Sequence, residues 1–386
     1  MAVEKDRLAT YAQKEKELRL LAGIHAAIVK NVEPNDFATM LRVVENGGGQ
    51  EVYPEGTVFY TEKDTYQYPW AVMHHGIDTD GEPYMDVRVI KGIDSLMFDN
   101  YEAIKYVRNG LAAGKYYITL PVAYGKTAAG NYTFTLTEDI PAGGRITGFV
   151  RASDVDADGT ELNVFDTPNS KTASQTVTVT KGTQGTFLGS LQIAGDAEND
   201  MNSIQRCGYG SGNYAQSNIR QYLNSSAAAG SIWTPSNIYD QPPSYVDSTP
   251  GFMAKLPDEF LDIVCPVEFK VETNNVFEVD YETGTFYTLK DKFWLPSRMH
   301  IFGSNEVSSI DTGDVLWNYY KDATNEDRIM YNKNGGAVTQ RLRTPYVGGA
   351  NGTRNVGTSG AVYSLHACDA GAVAPACRIR RIKKSS

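Results

Sequence analysis

Three aspartates at alternate positions, followed by a glycine, form the residue pattern that is closest to a metal-binding loop. In the stretch DVDADGTEL they are Asp154, Asp156 and Asp158, which have the spacing that begins a calcium-binding loop. The twelfth position of such a loop holds a bidentate Glu, whereas this chain has Phe165 there. A solvated acidic turn is therefore the favoured interpretation, and a weak Ca²⁺ site is the alternative. No other cofactor is predicted.

Patterns for nucleophilic or phosphate chemistry are weaker still. Cys368 lies two residues after His366, but closeness in sequence is not the geometry of a nucleophile and its base. The chain has no GxSxG motif, and the glycine-rich GYGSGNY at 208–214 lacks the Lys-Ser/Thr of a phosphate loop. His74 and His75 are adjacent, so their side chains diverge on a strand. The sequence therefore predicts that the protein is not an enzyme.

The composition is that of an acidic, tyrosine-rich protein. The 386 residues include 24 Tyr and 36 Gly, and the formal net charge is −10. An acidic chain is a poor nucleic-acid binder, and the one basic cluster is RIRRIKK at the C-terminus. No apolar run has the length of a membrane span, and the N-terminus has no secretory signal. We therefore expect neither nucleic-acid binding nor membrane insertion.

The elements that must position any site fall into three parts of the chain. Residues 4–31 have a three-four apolar spacing, which predicts a helix that either oligomerises or packs on its own domain. From 51 to 186, segments such as KYYITLPVAY and SQTVTVTKG alternate β-branched or aromatic residues with polar ones, which predicts a β-sandwich-like domain. A short helix over 98–111, with its C-cap at Gly110, is expected to interrupt these strands.

The C-terminal part combines short helices, short strands and long loops. NYAQSNIRQYLNSS and LPDEFLDIV predict helices, the first with Ile219 and Leu223 on one face, and TFYTL and KFWLPS predict strands. Loops this long in a compact domain usually carry function. The predicted fold class is thus α+β and β, in three domains: an N-terminal helix and attachment segment (1–50), a β-rich domain (51–186) and an α+β domain (187–386).

One long stretch lacks five residue types altogether. From Arg341 to Ile382 there is no Lys, Glu, Gln, Met or Trp, although a random window of this length would hold roughly seven of them. These are the types that codons ending in a pyrimidine cannot encode, so the gap is compatible with targeted diversification of the segment. Glycine-rich loops that simply avoid long and charged side chains are the alternative.

Several blocks in this region, in this order, resemble a known family: NYAQSNIRQYLNSSAAAG, DQPPS, DEFLDIV, KFWLPS, RLRTP, RNVGTSG and GAVAPACRI. They are similar to phage and prophage virion proteins whose last domain looks like the C-type-lectin-fold variable proteins of diversity-generating retroelements. The resemblance covers roughly 187–382, and FDNYEAIKYVRNGLAAGKYYITL is similar to the upstream part of the same proteins. It implies a C-type-lectin-like domain over 187–386, with RLRTP and VAPACRI as its frame. The residues that it implies for ligand binding are Tyr346, Val347, Asn351, Thr353, Arg354, Val362, Tyr363, Ser364, Leu365, His366, Cys368 and Asp369.

The same resemblance implies a function and its partners. The expected protein is a phage virion surface protein, in the head or tail, that displays a lectin-like tip for attachment to the host cell. Its partners would be a host-cell surface receptor (a glycan or a protein), other virion proteins and copies of itself, with a trimer favoured. It would be assembled in the bacterial cytoplasm and act on the virion surface. The alternatives are a purely structural decoration protein and a glycan-degrading enzyme.

Overall fold

A computed structural model describes residues 14, 36–103, 105–120, 130–136, 139–146, 160–165, 174–181, 192–193, 206, 209–272, 286–307, 309–347, 349 and 351–382. Within these residues the fold is mostly β with few helices, which agrees with the predicted fold class at this coarse level. The helix predicted over 4–31 lies, apart from Lys14, outside the described residues. The three aspartates of the possible calcium loop lie outside them as well.

Short helices are set between the strands. In chain order they are α1 (Phe37–Glu45), α2 (Gly49–Val52), α3 (Asn218–Leu223), α4 (Asp258–Ile263), α5 (Arg298–Phe302) and α6 (Asn325–Arg328). The predicted helices at α3 and α4 are confirmed, and Ile219 and Leu223 are both buried. α3 begins where it does because the Ser217 side chain accepts a hydrogen bond from the backbone N–H of Arg220.

The strands in chain order are β1 (Val58–Lys63), β2 (Tyr66–Ile77), β3 (Pro83–Val89), β4 (Lys91–Gly92), β5 (Ser95–Met97), β6 (Lys105–Val107), β7 (Gly114–Leu120), β8 (Gly130–Leu136), β9 (Gly144–Ile146), β10 (Thr160–Phe165), β11 (Ser174–Lys181), β12 (Gln192–Ile193), β13 (Val264–Cys265), β14 (Val267–Glu272), β15 (Phe286–Asp291), β16 (Phe293–Trp294), β17 (Met330–Asn332), β18 (Ala337–Val338), β19 (Gln340–Pro345), β20 (Gly352–Val356), β21 (Val362–His366), β22 (Ala370–Ala372) and β23 (Ala376–Ile379). β15 lies where the sequence predicted the TFYTL strand, and β16 lies within KFWLPS.

The C-terminal strand lies inside the main sheet and joins distant parts of the chain. The sheet has the order β1-β2-β3-β23-β13, and β16 also pairs with β23. In the antiparallel pairing of β3 with β23, Val87 lies opposite Cys377 and Met85 opposite Ile379. The sheet therefore combines strands from 51–186 with strands from 187–386, which the sequence analysis assigned to separate domains. Local alternation predicts a strand but does not specify its partner.

Aromatic residues from both parts pack together behind this sheet. Trp70 of β2, Phe252, Phe260 of α4 and Phe293 of β16 are all fully buried. The ring of Trp70 lies 5.0 Å from Phe260, and Phe252 lies 5.2 Å from Phe293, between ring centroids. Large aromatic rings bury the most apolar surface per residue, so this cluster is a major stabilising contact between the two halves of the sheet.

A second sheet contains only strands from 105–193, in the order β12-β7-β8-β11-β10-β9-β6. The helix predicted over 98–111 is wrong, because β6 of this sheet occupies its middle. At the start of that segment, the backbone N–H groups of Phe98 and Asp99 both donate to the Ala367 carbonyl, at 2.9 and 3.1 Å. The N–H groups of Glu102 and Ala103, which in a helix would donate to the carbonyls four residues earlier, donate instead to the carbonyls of Arg206 and Tyr239, at 3.2 and 2.6 Å. Gly110 has φ +83°, but it precedes an isolated bridge at Leu111 instead of capping a helix.

The sheet that carries the predicted site has the order β21-β20-β19-β22-β5. β19 and β22 are parallel, and the other neighbours are antiparallel. β5, from the N-terminal half, closes one edge by pairing Ser95–Met97 with Ala370–Ala372. β21 forms the opposite edge. Two smaller sheets complete the described fold: the hairpin β14-β15, and β18-β17-β4.

Candidate functional site

The hairpin of β20 and β21 carries most of the residues that the resemblance implied for binding. Its register places Arg354 opposite Ser364 and Thr353 opposite Leu365. Residues directly opposite each other in an antiparallel pair point to the same side, so the hairpin has two different faces. The predicted residues are therefore divided between two surfaces and do not form one continuous patch.

The first face is called here the Arg354 face, and it consists of Gly352, Arg354, Val356, Val362, Ser364 and His366. Tyr346 packs onto it beside Gly352, where a Cβ atom would lie only 3.2 Å from the Tyr346 Cβ. Glycine thus leaves the space that this ring needs. The Arg354 guanidinium carbon lies 4.3 Å from the centre of the Tyr346 ring, which is a cation–π contact. Tyr346 and Arg354 form one surface feature.

The opposite face consists of Thr353, Asn355, Tyr363 and Leu365. Thr353 and Asn355 are fully buried, and Leu365 is half-buried. Tyr363 lies on the edge strand, and 54% of its surface is exposed. This face packs inward along β20, and at β21 it opens to solvent through Tyr363.

A buried arginine on β19 holds the backbone of this region in place. The Arg341 guanidinium is fully buried and donates to Thr353 Oγ1 at 2.9 Å and to the His366 carbonyl at 2.7 Å, as well as to the Asp369 carbonyl. Burial lowers the pKa of Arg341 to about 10. A Cβ at Gly371 would lie 2.8 Å from Arg341 Nε, so a glycine is required there. Two of the three acceptors are main-chain carbonyls, which every residue type would supply.

The turn after β21 brings in a residue from far away in the sequence. The exposed His366 ring stacks on Tyr209, with 4.2 Å between ring centres, and its Nδ1 lies 3.0 Å from Asn351 Nδ2. The Cys368 N–H donates to the Tyr209 carbonyl at 2.9 Å. Tyr209 belongs to GYGSGNY, the glycine-rich segment that lacks the residues of a phosphate loop. Its place in the site had no local sequence signal, because the contact spans more than 150 residues.

Two further residues that the sequence analysis missed lie beside Arg354. Glu306, in the loop after α5, forms an ion pair with Arg354 and lies 3.5 Å from Arg298 Nη1. The Val347 N–H also donates to Glu306 Oε2, at 3.3 Å. Burial lowers the pKa of both arginines, and for Arg354 the nearby Arg298 charge lowers it further. One carboxylate is therefore shared between two guanidinium groups.

The twelve residues implied for binding thus differ in exposure. Nine are exposed or half-buried and are able to contact a ligand: Tyr346, Val347, Arg354, Val362, Tyr363, Ser364, Leu365, His366 and Asp369. Three are buried, with exposed fractions of 5% for Asn351, 0% for Thr353 and 7% for Cys368. Burial raises the pKa of the Cys368 thiol to about 11, which keeps it neutral at physiological pH. These three residues support the surface from within.

A separate cavity of about 940 Å³ lies between the β14-β15 hairpin and the main sheet, and none of the twelve residues lines it. Several of its charged groups are paired with each other: Arg378 donates to Asp86 at 2.7 and 2.9 Å, and Arg343 pairs with Asp314. His300 stacks on a buried tryptophan, and burial lowers its pKa to about 4. The charges of the Arg378–Asp86 and Arg343–Asp314 pairs are therefore neutralised within the protein.

Within the part of the chain that the structure describes, no group of three or more His, Cys, Asp or Glu side chains has an arrangement that holds a metal ion. In the same described residues, no helix has the length and apolar character needed to cross a bilayer.

Comparisons with known proteins identify a family for the C-terminal half. A family model described as "Domain of unknown function (DUF6273)" matches residues 183–381, which include β13 to β23 and the whole candidate site. Searches of curated proteins and of solved structures found no match. The match covers just over half of the 386 residues, and the chain belongs to the DUF6273 family.

Proposed function

We propose that this chain is a virion surface protein of a phage, and that the hairpin β20-β21 with its neighbouring loops is the tip that binds a receptor on the host cell. The proposal includes a C-type-lectin-like fold for 187–386, display in several copies (as a trimer), and attachment to other virion proteins. Assembly would take place in the bacterial cytoplasm. The receptor would be a glycan or a protein, and repeated weak contacts on one particle would add up to avidity.

One observation carries this proposal. The side chains of the edge strand β21 are accessible to solvent, whereas the backbone next to it is fixed by hydrogen bonds from the buried Arg341. Each side chain from Val362 to His366 is exposed or half-buried. The Arg341 guanidinium binds carbonyl oxygens of the following turn, and these bonds do not depend on the side chains. A surface of this kind tolerates changes in its contact residues while the frame stays folded.

The test is binding of the purified full chain to a panel of bacterial cells from different species. Tyr363→Ala removes an exposed aromatic ring of the hairpin. A control is available in Tyr331→Ala, because Tyr331 is similarly exposed (45%) but lies on β17, in a different sheet. We expect Tyr363→Ala to weaken cell binding at least about tenfold, since an anchoring aromatic residue is typically worth 1–2 kcal/mol or more, and Tyr331→Ala to leave it unchanged.

Other outcomes favour the alternatives. Equal binding by wild type and Tyr363→Ala would remove the hairpin as the contact surface. Particle assembly that fails without 187–386, combined with no cell binding, would favour a structural decoration protein. Release of soluble sugars from host-cell glycans would favour an enzyme.

A further inference from the structure

The strongest unexplained feature beside the hairpin is an excess of positive charge. Arg298 and Arg354 share the single carboxylate of Glu306, and each of these three side chains is only 17% exposed. Guanidinium groups keep their charge at physiological pH. The other carboxyl group that acts on Arg298 is Asp311, and burial raises its pKa to about 7, so it is only partly charged at neutral pH. The cluster therefore carries more positive than negative charge.

The hydrogen bonds of the cluster are incomplete as well. Nε of Arg298 and Nε of Arg354 are buried and have no hydrogen-bond partner among the described residues, and Nη1 of Arg298 has only its 3.5 Å ion pair with Glu306. Leaving a buried donor of a charged group unpaired costs free energy, and a second acceptor group would remove that cost. Arginine forks match the two oxygens of a carboxylate, or two oxygens of a phosphate, in one plane.

The surroundings of the pair suit a ligand that comes from solvent. Arg354 lies on the face of the hairpin that also carries the half-buried Ser364 directly across the strand pair. The Tyr346 ring supports the Arg354 guanidinium from one side. Glu306 belongs to the loop after α5, and it reaches the arginines with a carboxylate just as an external anion would. The geometry is that of an anion site in which a side chain of the protein currently serves as the anion.

We propose that Arg298 and Arg354 form a binding site for an oxyanion, a carboxylate or phosphate group of the ligand, and that Glu306 occupies this site until the ligand displaces it. The inference rests on the proposed receptor-binding function and specifies its chemistry: the receptor would be acidic, such as a polymer with uronic acid or phosphodiester groups. A ligand with neither group would gain nothing from this pair of arginines.

The test uses the full chain and NMR signals of the arginine Nε–H groups, titrated with inorganic phosphate, with glucuronate, and with glucose as the neutral control. Ionic strength is held constant with sodium chloride. We expect saturable shifts of the Arg298 and Arg354 signals with phosphate or glucuronate and none with glucose. A response to phosphate alone identifies a phosphoryl-bearing ligand, and a response to glucuronate identifies a carboxylate.

Three variants make the test specific. Arg354→Met should weaken anion binding at least about tenfold, because it removes charge-assisted hydrogen bonds. Glu306→Gln should strengthen anion binding, because it removes the competing carboxylate; a merely structural Glu306 would have the opposite effect or none. Arg42→Met, at an exposed arginine of α1, is the matched control. Unfolding midpoints of the variants confirm that each is folded.

Absence of saturable shifts in the wild type, or unchanged affinity in Arg354→Met, would overturn the inference. The result can be separated from that of the proposed function. If no anion binds but Tyr363→Ala still weakens cell binding, the receptor-binding function stands and the anion site fails. If anions bind as expected but Tyr363→Ala and Arg354→Met both leave cell binding unchanged, the anion site stands and the receptor-binding function fails.

Discussion

At the scale of single residues, the candidate site depends on charged groups that are buried and paired. Arg341 and Arg343, the two arginines of RLRTP, are both fully buried. Arg341 binds three oxygens around the hairpin, whereas Arg343 donates to the Leu295 carbonyl at 3.1 Å and pairs with Asp314. The planar guanidinium group reaches several acceptors at once, which a lysine ammonium cannot do from the same position.

Arg341→Lys tests this role directly. The lysine would reach one acceptor and leave the others unpaired, so we expect the free energy of unfolding to fall by about 2–4 kcal/mol. Denaturant unfolding measures the change, and the same substitution at the exposed Arg42 is the control. A loss of less than about 0.5 kcal/mol would mean that Arg341 does not hold the turn.

A second residue-scale prediction concerns pH. Burial and the charge of Glu102 raise the pKa of Asp240 to about 7 from its ordinary value near 4. Between these values the folded chain holds a proton that the unfolded chain has lost, so the free energy of unfolding falls as the pH rises through this window. Asp240→Asn keeps one acceptor oxygen but removes the titration. In the variant, the free energy of unfolding should fall less steeply with pH than in the wild type, by at most about 1.4 kcal/mol per pH unit between pH 4 and 7.

Denaturant unfolding of both proteins across this pH range is the measurement. Asp322→Asn, at an exposed carboxylate, controls for the loss of one acidic group. Identical pH profiles for wild type and Asp240→Asn would contradict the burial of a protonated Asp240. The neighbouring Asp99, whose pKa burial also raises, remains in the variant, so some pH dependence will persist.

At the scale of elements, the hairpin is positioned by loops that come from other parts of the chain. Tyr209 reaches His366 because Gly210, with φ +75°, turns the backbone against Asp99 and Asn100. A Cβ at Gly210 would lie 2.8 Å from the Asn100 carbonyl oxygen and 2.9 Å from that of Asp99. Both the conformation and the close approach therefore require glycine at this position.

Gly210→Ala and Gly230→Ala form a matched pair. Gly230 has φ +87°, but no atom lies within 4 Å of the position where a Cβ would be placed. In both variants the positive φ strains the backbone by about 1 kcal/mol. Only in Gly210→Ala does the new Cβ also collide with backbone carbonyl oxygens. We expect Gly210→Ala to lose at least about 1 kcal/mol more than Gly230→Ala in denaturant unfolding. Equal losses would show that the loop relaxes without cost.

How much the sequence predicted depends on how local each feature is. The helices α3 and α4 were predicted correctly because their apolar spacing and end signals lie within a few residues. The helix over 98–111 was wrong because the N–H groups of Glu102 and Ala103 donate to the distant carbonyls of Arg206 and Tyr239 instead of to the preceding turn. For the same reason, Tyr209, Arg298 and Glu306 were missed at the site. The sequence after Arg341 also has no regular alternation of apolar and polar residues, so it could not predict that Thr353 is buried and Tyr363 exposed.

At the scale of the whole molecule, strands from both halves of the chain hold the site. β3 pairs with β23 in the main sheet, and β5 pairs with β22 in the sheet of the hairpin. The family match begins at residue 183, so these partner strands lie outside it. The frame beneath the hairpin therefore includes residues that the family model does not cover, and any experiment on the site should use the full chain.

The central claim is that the side chains of β21 bind a receptor while contributing little to folding. The most direct measurement compares wild type with a variant of the edge strand in which Val362→Thr, Tyr363→Ser, Ser364→Asn and Leu365→Thr are combined, recording cell binding and the free energy of unfolding on the same samples. We predict that binding is lost or redirected while the free energy of unfolding changes by no more than about 0.5 kcal/mol per replaced residue. Unchanged binding, or a chain that no longer folds, would contradict the claim.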